Sequence, residues 1–195
     1  MSATTLRQFL ASCEVKTYTG VGSRRAPPEI LKLMYWAAKR LAAEGWTLRS
    51  GAAAGSDEAF EAGALDNLPC PHERVEIFLP WEEFRGRVSP RECPPTAAAF
   101  SLAERYHPAW ERLTPSARAL MARNSHQVLG ADLQSPCAFV LCWTPDGAKA
   151  SQETSRDTGG TGQAIRIASS RRIPVFNLAR SSDFSDWGRY TAQGK

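Results

Sequence analysis

The stretch VKTYTGVGSRRAPPEILKLMYWAAKRLAAEGWTLRSGAAAGSDEAFEAGAL, from Val15 to Leu65, contains the same three-part unit twice. Val15 to Tyr18 reads as a short strand that runs into the turn Gly20-Val21-Gly22-Ser23-Arg24. A helix then opens at Pro27-Pro28, where proline is tolerated in the first turn. It carries Ile30, Leu31, Met34, Ala37, Ala38, Leu41 and Ala42 at helical spacing until Gly45 stops it. Trp46 to Arg49 forms the second strand, Ser50 to Ser56 the second glycine turn, and Asp57 to Leu65 the second helix, with Ser56 or Asp57 placed to cap it.

Working outward, Thr5 to Cys13 precedes this unit as a helix, and Arg74 to Leu79 follows it as a third strand. Pro80 to Pro95 is a proline-containing, charged stretch that reads as a surface loop or insertion of the kind that forms lids. Two helical patterns come next, Ala97 to Tyr106 and Pro115 to Leu129, the latter capped by Thr114. Ala138 to Trp143 is a nearly continuous apolar run, as a strand buried on both faces requires. After a polar, mobile-looking segment from Thr144 to Thr158, Gly159-Gly160-Thr161-Gly162 introduces a helix through Ser169, and Ile173 to Leu178 is a last strand. The tail from Ala179 to Lys195 reads as a partly ordered cap whose Trp187 and Tyr190 pack back on the body.

Strands alternating with helices predict an α/β fold: a Rossmann-like, doubly wound, mostly parallel sheet of about five or more strands with helices on both faces. With 195 residues, one domain spanning 1–195 is expected, its core at about 15–178. Hydrophobic residues at 43% and charged residues at 23% are globular values and exclude disordered and fibrous classes. No eighteen-residue apolar run and no signal-peptide pattern is present, so no membrane partner and a cytoplasmic location are expected. Five cysteines at irregular spacing, with no CxxC, fit reduced thiols better than disulfides or a metal site, and no metal or cofactor is expected. A net charge of +4 suits a polyanionic partner, but the basic residues are scattered, which makes nucleic acid the less favoured partner on charge alone.

In a doubly wound sheet, ligands bind outside the carboxyl ends of the strands, and the three glycine turns fall there. Glycine lets backbone approach a phosphate, while the amides and dipole of a following helix attract its charge. In the first turn, Gly20 and Gly22 supply close approach, Ser23 a hydroxyl, and Arg24 or Arg25 a guanidinium. In the second, Gly51, Gly55 and Ser56 suit a phosphate or ribose, whereas Asp57 has the wrong sign for a phosphate and fits a ribose hydroxyl, a base edge or a helix cap. In the third, Thr158, Gly159, Gly160, Thr161, Gly162 and Gln163 combine amides, hydroxyls and a side-chain amide before a helix, the most specific signal of the three. Neither GxxxxGK[ST] nor a complete GxGxxG follows the first strand, which argues against P-loop phosphoryl transfer and against an ordinary dinucleotide dehydrogenase.

YTGVGSRRAPPEI, LRSGAAAGSDEAFEAGA and GGTGQAIRIA with IPVFNL, in that order, resemble the SLOG superfamily, which includes the DNA-processing protein A and the Lonely Guy phosphoribohydrolases. The likeness is nearest to small members of the DNA-processing kind found in bacteria and phages. It implies a Rossmann-like fold, frequent self-association as a homo-oligomer, and a nucleotide-derived small molecule as ligand. The enzymatic branch cleaves the bond between base and ribose 5-phosphate, using an arginine on a helix and a glutamate closing GGxGTxxE. Met121-Ala122-Arg123-Asn124 is similar to the arginine segment, so Arg123 is the matching position, but Arg166 stands where the glutamate belongs. Cleavage develops positive charge on the ribose, which a carboxylate stabilises and an arginine does not. Catalysis would then fall to Arg123 with Asp57, Glu58 or Asp157, or to His126 as general acid. Trp81, Phe84, Trp110 and Trp143 are candidates to stack on a base or to pack in the core. Three functions follow: a nucleotide-binding sensor or sequestering module, an N-glycosidase on nucleoside monophosphates, or a single-stranded DNA binder.

Overall fold

The structure is a computed structural model and describes residues 3–66, 74–87 and 94–192. Its frame is one all-parallel sheet of β1 (Thr17–Gly20), β2 (Thr47–Ser50), β3 (Val75–Ile77), β4 (Phe139–Cys142) and β5 (Val175–Asn177), in the order β3-β2-β1-β4-β5. The helices are α1 (Ala3–Ser12), α2 (Pro28–Ala43), α3 (Ser56–Leu65), α4 (Ala97–Tyr106), α5 (Pro115–Leu129), α6 (Thr161–Ser170) and α7 (Ser181–Ala192). The chain moves outward through β1, β2 and β3, then returns to pair β4 with the other side of β1. This opens the crevice of a doubly wound fold between β1 and β4.

The apolar run of β4 divides its side chains between the two faces by the strand's period of two. Phe139 and Leu141 enter a core formed by α1, α2, α7, Tyr18, Leu48 and Phe60, while Val140 and Cys142 enter a second core against α5 and α6. Helices therefore cover both faces, as the alternation of strand and helix predicts. Among the described residues, no helix is long and apolar enough to cross a membrane.

Several local expectations are corrected. Each strand begins and ends one or two residues from its predicted limits; Gly20 is the last residue of β1, paired with Leu141, rather than part of the turn. The cap of α3 is neither Ser56 nor Asp57 but Gly55, whose φ of 80° is open to glycine and costly for other residues. Its amide is met by Glu58 Oε2 at 3.2 Å. Thr144 to Thr158 is not a loose polar segment. Asn177 Nδ2 donates to Thr144 Oγ1 and the Ala148 carbonyl at 2.7 and 2.8 Å, Lys149 pairs with Asp183, and Asp146 accepts the hydroxyls of Ser155 and Thr158. The C-terminal cap is a regular helix from Ser181 to Ala192, and Trp187 and Tyr190 pack into the first core as expected; residues 193–195 lie outside the described residues. Of the expected lid, residues 88–93 lie outside the described residues. Its first part is pinned by Phe84, buried against Ala52 and Leu79, and by Arg85–Glu58 and Arg87–Glu61 ion pairs.

Candidate functional site

The loops that leave the carboxyl ends of β1, β2 and β4 frame a cleft of about 490 Å³. One wall is Val21 to Arg25, the other is Arg156 to Thr161, and the floor holds Ala53, Asp57, Arg123 and Asn124. Of the residues singled out in the sequence, Gly22, Ser23, Arg24, Arg25, Asp57, Arg123, Asp157, Thr158, Gly159, Gly160 and Thr161 line it.

Gly20, Gly51, Gly55, Ser56 and Gly162 stand behind its surface. Gly20 packs under Leu48 and Phe60, and Gly162 backs onto Thr158. Ser56 is fully buried and donates its hydroxyl to the Ser23 carbonyl at 2.9 Å, bracing the first turn from behind. Gly22 is needed at that brace, because a Cβ there would press on Ser56 Oγ.

The first turn offers less to a phosphate than its glycines imply. Val21 and Ser23 donate their amides to the carbonyls of Leu141 and Trp143 at 3.2 and 3.1 Å, prolonging the β1–β4 ladder. Ser23 Oγ accepts the Arg25 amide at 3.1 Å, which leaves the hydroxyl proton to donate into the cleft. Arg24 and Arg25 make no ion pair among the described residues.

The third turn is the open one. Gly162 and Gln163 donate their amides to Gly159 and Gly160, but the amides of Gly160 and Thr161, at the start of the ten-residue α6, have no acceptor among the described residues. Gly160, Thr161 and Arg156 all line the cleft, and Arg156 has no carboxylate partner among the described residues. Unmet amides at a helix start and the positive end of its dipole form an anion site. Asn124 Nδ2 donates to the Gly160 carbonyl at 3.0 Å and fixes this turn against α5.

On the floor, Arg123 reaches across from α5. Its Nη1 donates to the Gly51 carbonyl and lies 3.6 Å from Asp57 Oδ2, with both side chains over nine-tenths buried. Asp57 also accepts the Ala53 amide at 3.3 Å. Burial nevertheless raises its carboxyl from 3.8 to about 6, outweighing Arg123 and the amides of Ala53 and Gly51. Burial also pulls the Arg123 guanidinium below its ordinary range, against the pull of Asp57. Among the described residues, Arg123 Nε has no acceptor, and neither side-chain polar atom of the fully buried Gln127, one turn further along α5, has a partner.

Other candidates lie elsewhere. Arg166 donates Nε to Thr154 Oγ1 at 3.1 Å and is not part of the cleft wall. His126 is fully buried and stacked on Phe78; Nε2 accepts the Thr96 amide at 3.3 Å, which assigns the proton to Nδ1, 3.1 Å from the Gly130 carbonyl. It is a structural histidine. Trp81, Phe84, Trp110 and Trp143 do not line the cleft: Phe84 and Trp110 are buried in their own clusters, Trp143 packs on the first core, and Trp81 stands edge-on to Phe84. Asn124 and Arg156 line the cleft without having been selected as site residues. Asn124 was legible as the neighbour of Arg123, whereas Arg156 carried no motif.

A scan against protein-family models finds no match, and a search of curated proteins finds none either. Among solved structures, the fold is similar to DNA processing protein A from Helicobacter pylori, a protein that binds single-stranded DNA. The two share 17% identity at a TM-score of 0.50, over 87% of this chain and 67% of that one.

Proposed function

We propose that the cleft binds a nucleotide unit through its phosphate. The phosphate sits on the Gly160 and Thr161 amides and is flanked by Arg156 on one wall and by Ser23, Arg24 and Arg25 on the other, while the sugar or base reaches Asp57 and Asn124. The observation that carries this reading is the pair of amides at the start of α6 that have no acceptor among the described residues, in a cleft whose rim arginines have no carboxylate partner among them either. Such amides and guanidinium groups recognise phosphate by charge-assisted hydrogen bonds.

In the second reading, the nucleotide unit belongs to single-stranded DNA. It is favoured by the fold likeness to a protein that binds single-stranded DNA and by the net charge of +4. The absence of aromatic residues from the described cleft wall points to backbone-dominated contact rather than to base stacking.

A thermal-shift screen with AMP, cyclic AMP, ADP-ribose and a ten-residue oligodeoxythymidylate tests both readings, since a ligand bound only by the folded state raises Tm. A shift with mononucleotides supports the pocket reading, and a shift with the oligonucleotide alone supports the polymer reading. If none shifts Tm, both fail. Chromatography of each hit checks for released base, which would establish glycosidase chemistry with Asp57 as the carboxylate nearest Arg123. Light scattering on the same sample tests the self-association that the family resemblance implies.

A further inference from the structure

Asp57 and Arg123 form a buried pair that is also the floor of the cleft. The guanidinium is engaged by the Gly51 carbonyl and Asp57 through Nη1, its buried Nε has no acceptor among the described residues, and Arg123 lines the cleft. An anion that enters the cleft and meets the part of Arg123 exposed there puts a second negative charge beside the Asp57 carboxylate, where both side chains are over nine-tenths buried. Two negative groups sharing one guanidinium in such a place do not both stay ionised when one can take a proton.

Resting on the reading that the cleft takes a nucleotide phosphate, we propose that Asp57 is its proton-linked counter-ion: seating the phosphate on Arg123 drives a proton onto Asp57. The charged groups around Asp57 fit this role. From α5 it faces Arg123, the loop after β1 brings Arg24 and Arg25, and the loop before α6 brings Arg156 and Asp157. On its own helix, Glu58 and Glu61 are neutralised by Arg85 and Arg87. Arg123 is therefore the cation closest to the carboxylate, and its charge is contested between Asp57 and the ligand. With its carboxyl already raised to about 6 by burial, Asp57 needs little further push to protonate near neutral pH. Affinity for the ligand then rises as pH falls, through the site itself and without a conformational change.

Calorimetry with two phosphodiester probes, cyclic AMP and a ten-residue oligodeoxythymidylate without terminal phosphate, tests this, because neither probe phosphate titrates between pH 5.5 and 7.5. Binding heats measured at pH 7 in buffers of different ionisation enthalpy count the protons taken up. Uptake approaching one proton per bound probe is expected at pH 7, with affinity about fivefold higher at pH 6 than at pH 7, because the free carboxyl is itself half protonated at pH 6. In Asp57→Asn the uptake and the pH dependence both disappear, and the variant binds more tightly at pH 7.5 than the unaltered protein does. The carboxyl carbon shift of Asp57, followed by NMR with and without probe, reads the same protonation without any substitution. Binding without proton uptake, or with equal uptake in Asp57→Asn, overturns the counter-ion role and leaves the nucleotide reading standing. Absence of binding by both probes at both pH values removes the nucleotide reading and the counter-ion role together.

Discussion

Gly51 sits where the Arg123 side chain crosses from α5 to the cleft floor, and a Cβ on it would fall inside the guanidinium while pressing on Gln127 Nε2. What reads in sequence as a glycine for phosphate approach is thus a glycine for arginine approach. Gly51→Ala is expected to destabilise the fold by about 1–3 kcal/mol through overpacking and to weaken phosphate binding more than tenfold, because Arg123 is pushed off the floor. Denaturation and binding titrations on the same variant check both effects; full binding with an unchanged Tm would mean that Arg123 takes no part in the site. Asp57 gives a second prediction at this scale. Its folded pKa, about 6, is raised above the ordinary 3.8, so the folded state binds more protons than the unfolded chain between these values. Stability therefore falls as pH rises through roughly 4 to 6. The full effect corresponds to about 3 kcal/mol at 1.36 kcal/mol for each pH unit. Asp57→Asn should remove that part of the slope, which urea titrations at pH 4, 5 and 6.5 would show by comparison with the unaltered protein.

At the scale of elements, the proposed anion site depends on how the loop before α6 is held as much as on α6 itself. Burial works to raise the Asp146 carboxyl, but hydrogen bonds from Thr158, Ser155 and Thr144 outweigh it and hold it at about 2. Ser155 Oγ donates to it at 2.7 Å, Thr158 Oγ1 donates to the same oxygen, and the Ser155 amide in turn reaches Thr158 Oγ1 at 2.7 Å. This clasp sets the path of Arg156 and the Gly159–Thr161 turn. Asp146→Ala leaves three hydroxyls without their acceptor and is expected to cost about 1–3 kcal/mol while lowering phosphate affinity about fivefold to tenfold, as the amides of Gly160 and Thr161 lose their fixed aim. Affinity equal to that of the unaltered protein would show that Asn124 alone holds the turn. This clasp was not legible beforehand because its members are nine and twelve residues apart in a polar stretch without periodicity, where nothing distinguishes a tied loop from a free one. The Gly159-Gly160-Thr161-Gly162 turn was legible, since small residues directly before an amphipathic helix have few other uses. The first turn was half legible: its glycines, serine and arginines were visible, but the β1–β4 ladder that occupies two of its amides is a long-range pairing that no local pattern records.

For the whole molecule, two strand-turn-helix units in succession and an apolar run at Phe139–Cys142 sufficed to indicate a parallel sheet with helices on both faces, because a strand hydrophobic at every position has no solvent side. The order β3-β2-β1-β4-β5 was not read from this pattern, because right-handed connections fix the handedness of each crossover and not which strands become neighbours. Less visible was how far the chain after β5 belongs to the body. SSDFSDWGRYTA is polar on average, and its apolar residues are few enough to suggest a loose cap, yet they are the largest side chains in the segment and fall on one face. Trp187, fully buried, lies against the rings of Phe139, Phe176 and Tyr190 at centroid distances of 5.4–5.7 Å, so α7 closes the core beneath β4 and β5. Arg40 holds the helix from α2 by donating to the Tyr190 carbonyl and stacking on its ring, and the Tyr190 hydroxyl donates to Glu44 at 2.8 Å. Trp187→Ala is expected to destabilise the protein by about 3–5 kcal/mol, the usual cost of emptying a buried aromatic site. Trp187 and the cleft share no lining residues, so molecules that remain folded should bind phosphate ligands with unchanged affinity. Urea denaturation gives the first quantity, and a binding titration well below the variant's Tm gives the second. A loss below about 1 kcal/mol would mean that α7 is an accessory to the core rather than part of it, whereas loss of affinity at full folding would show that the two ends of the sheet are coupled through β4.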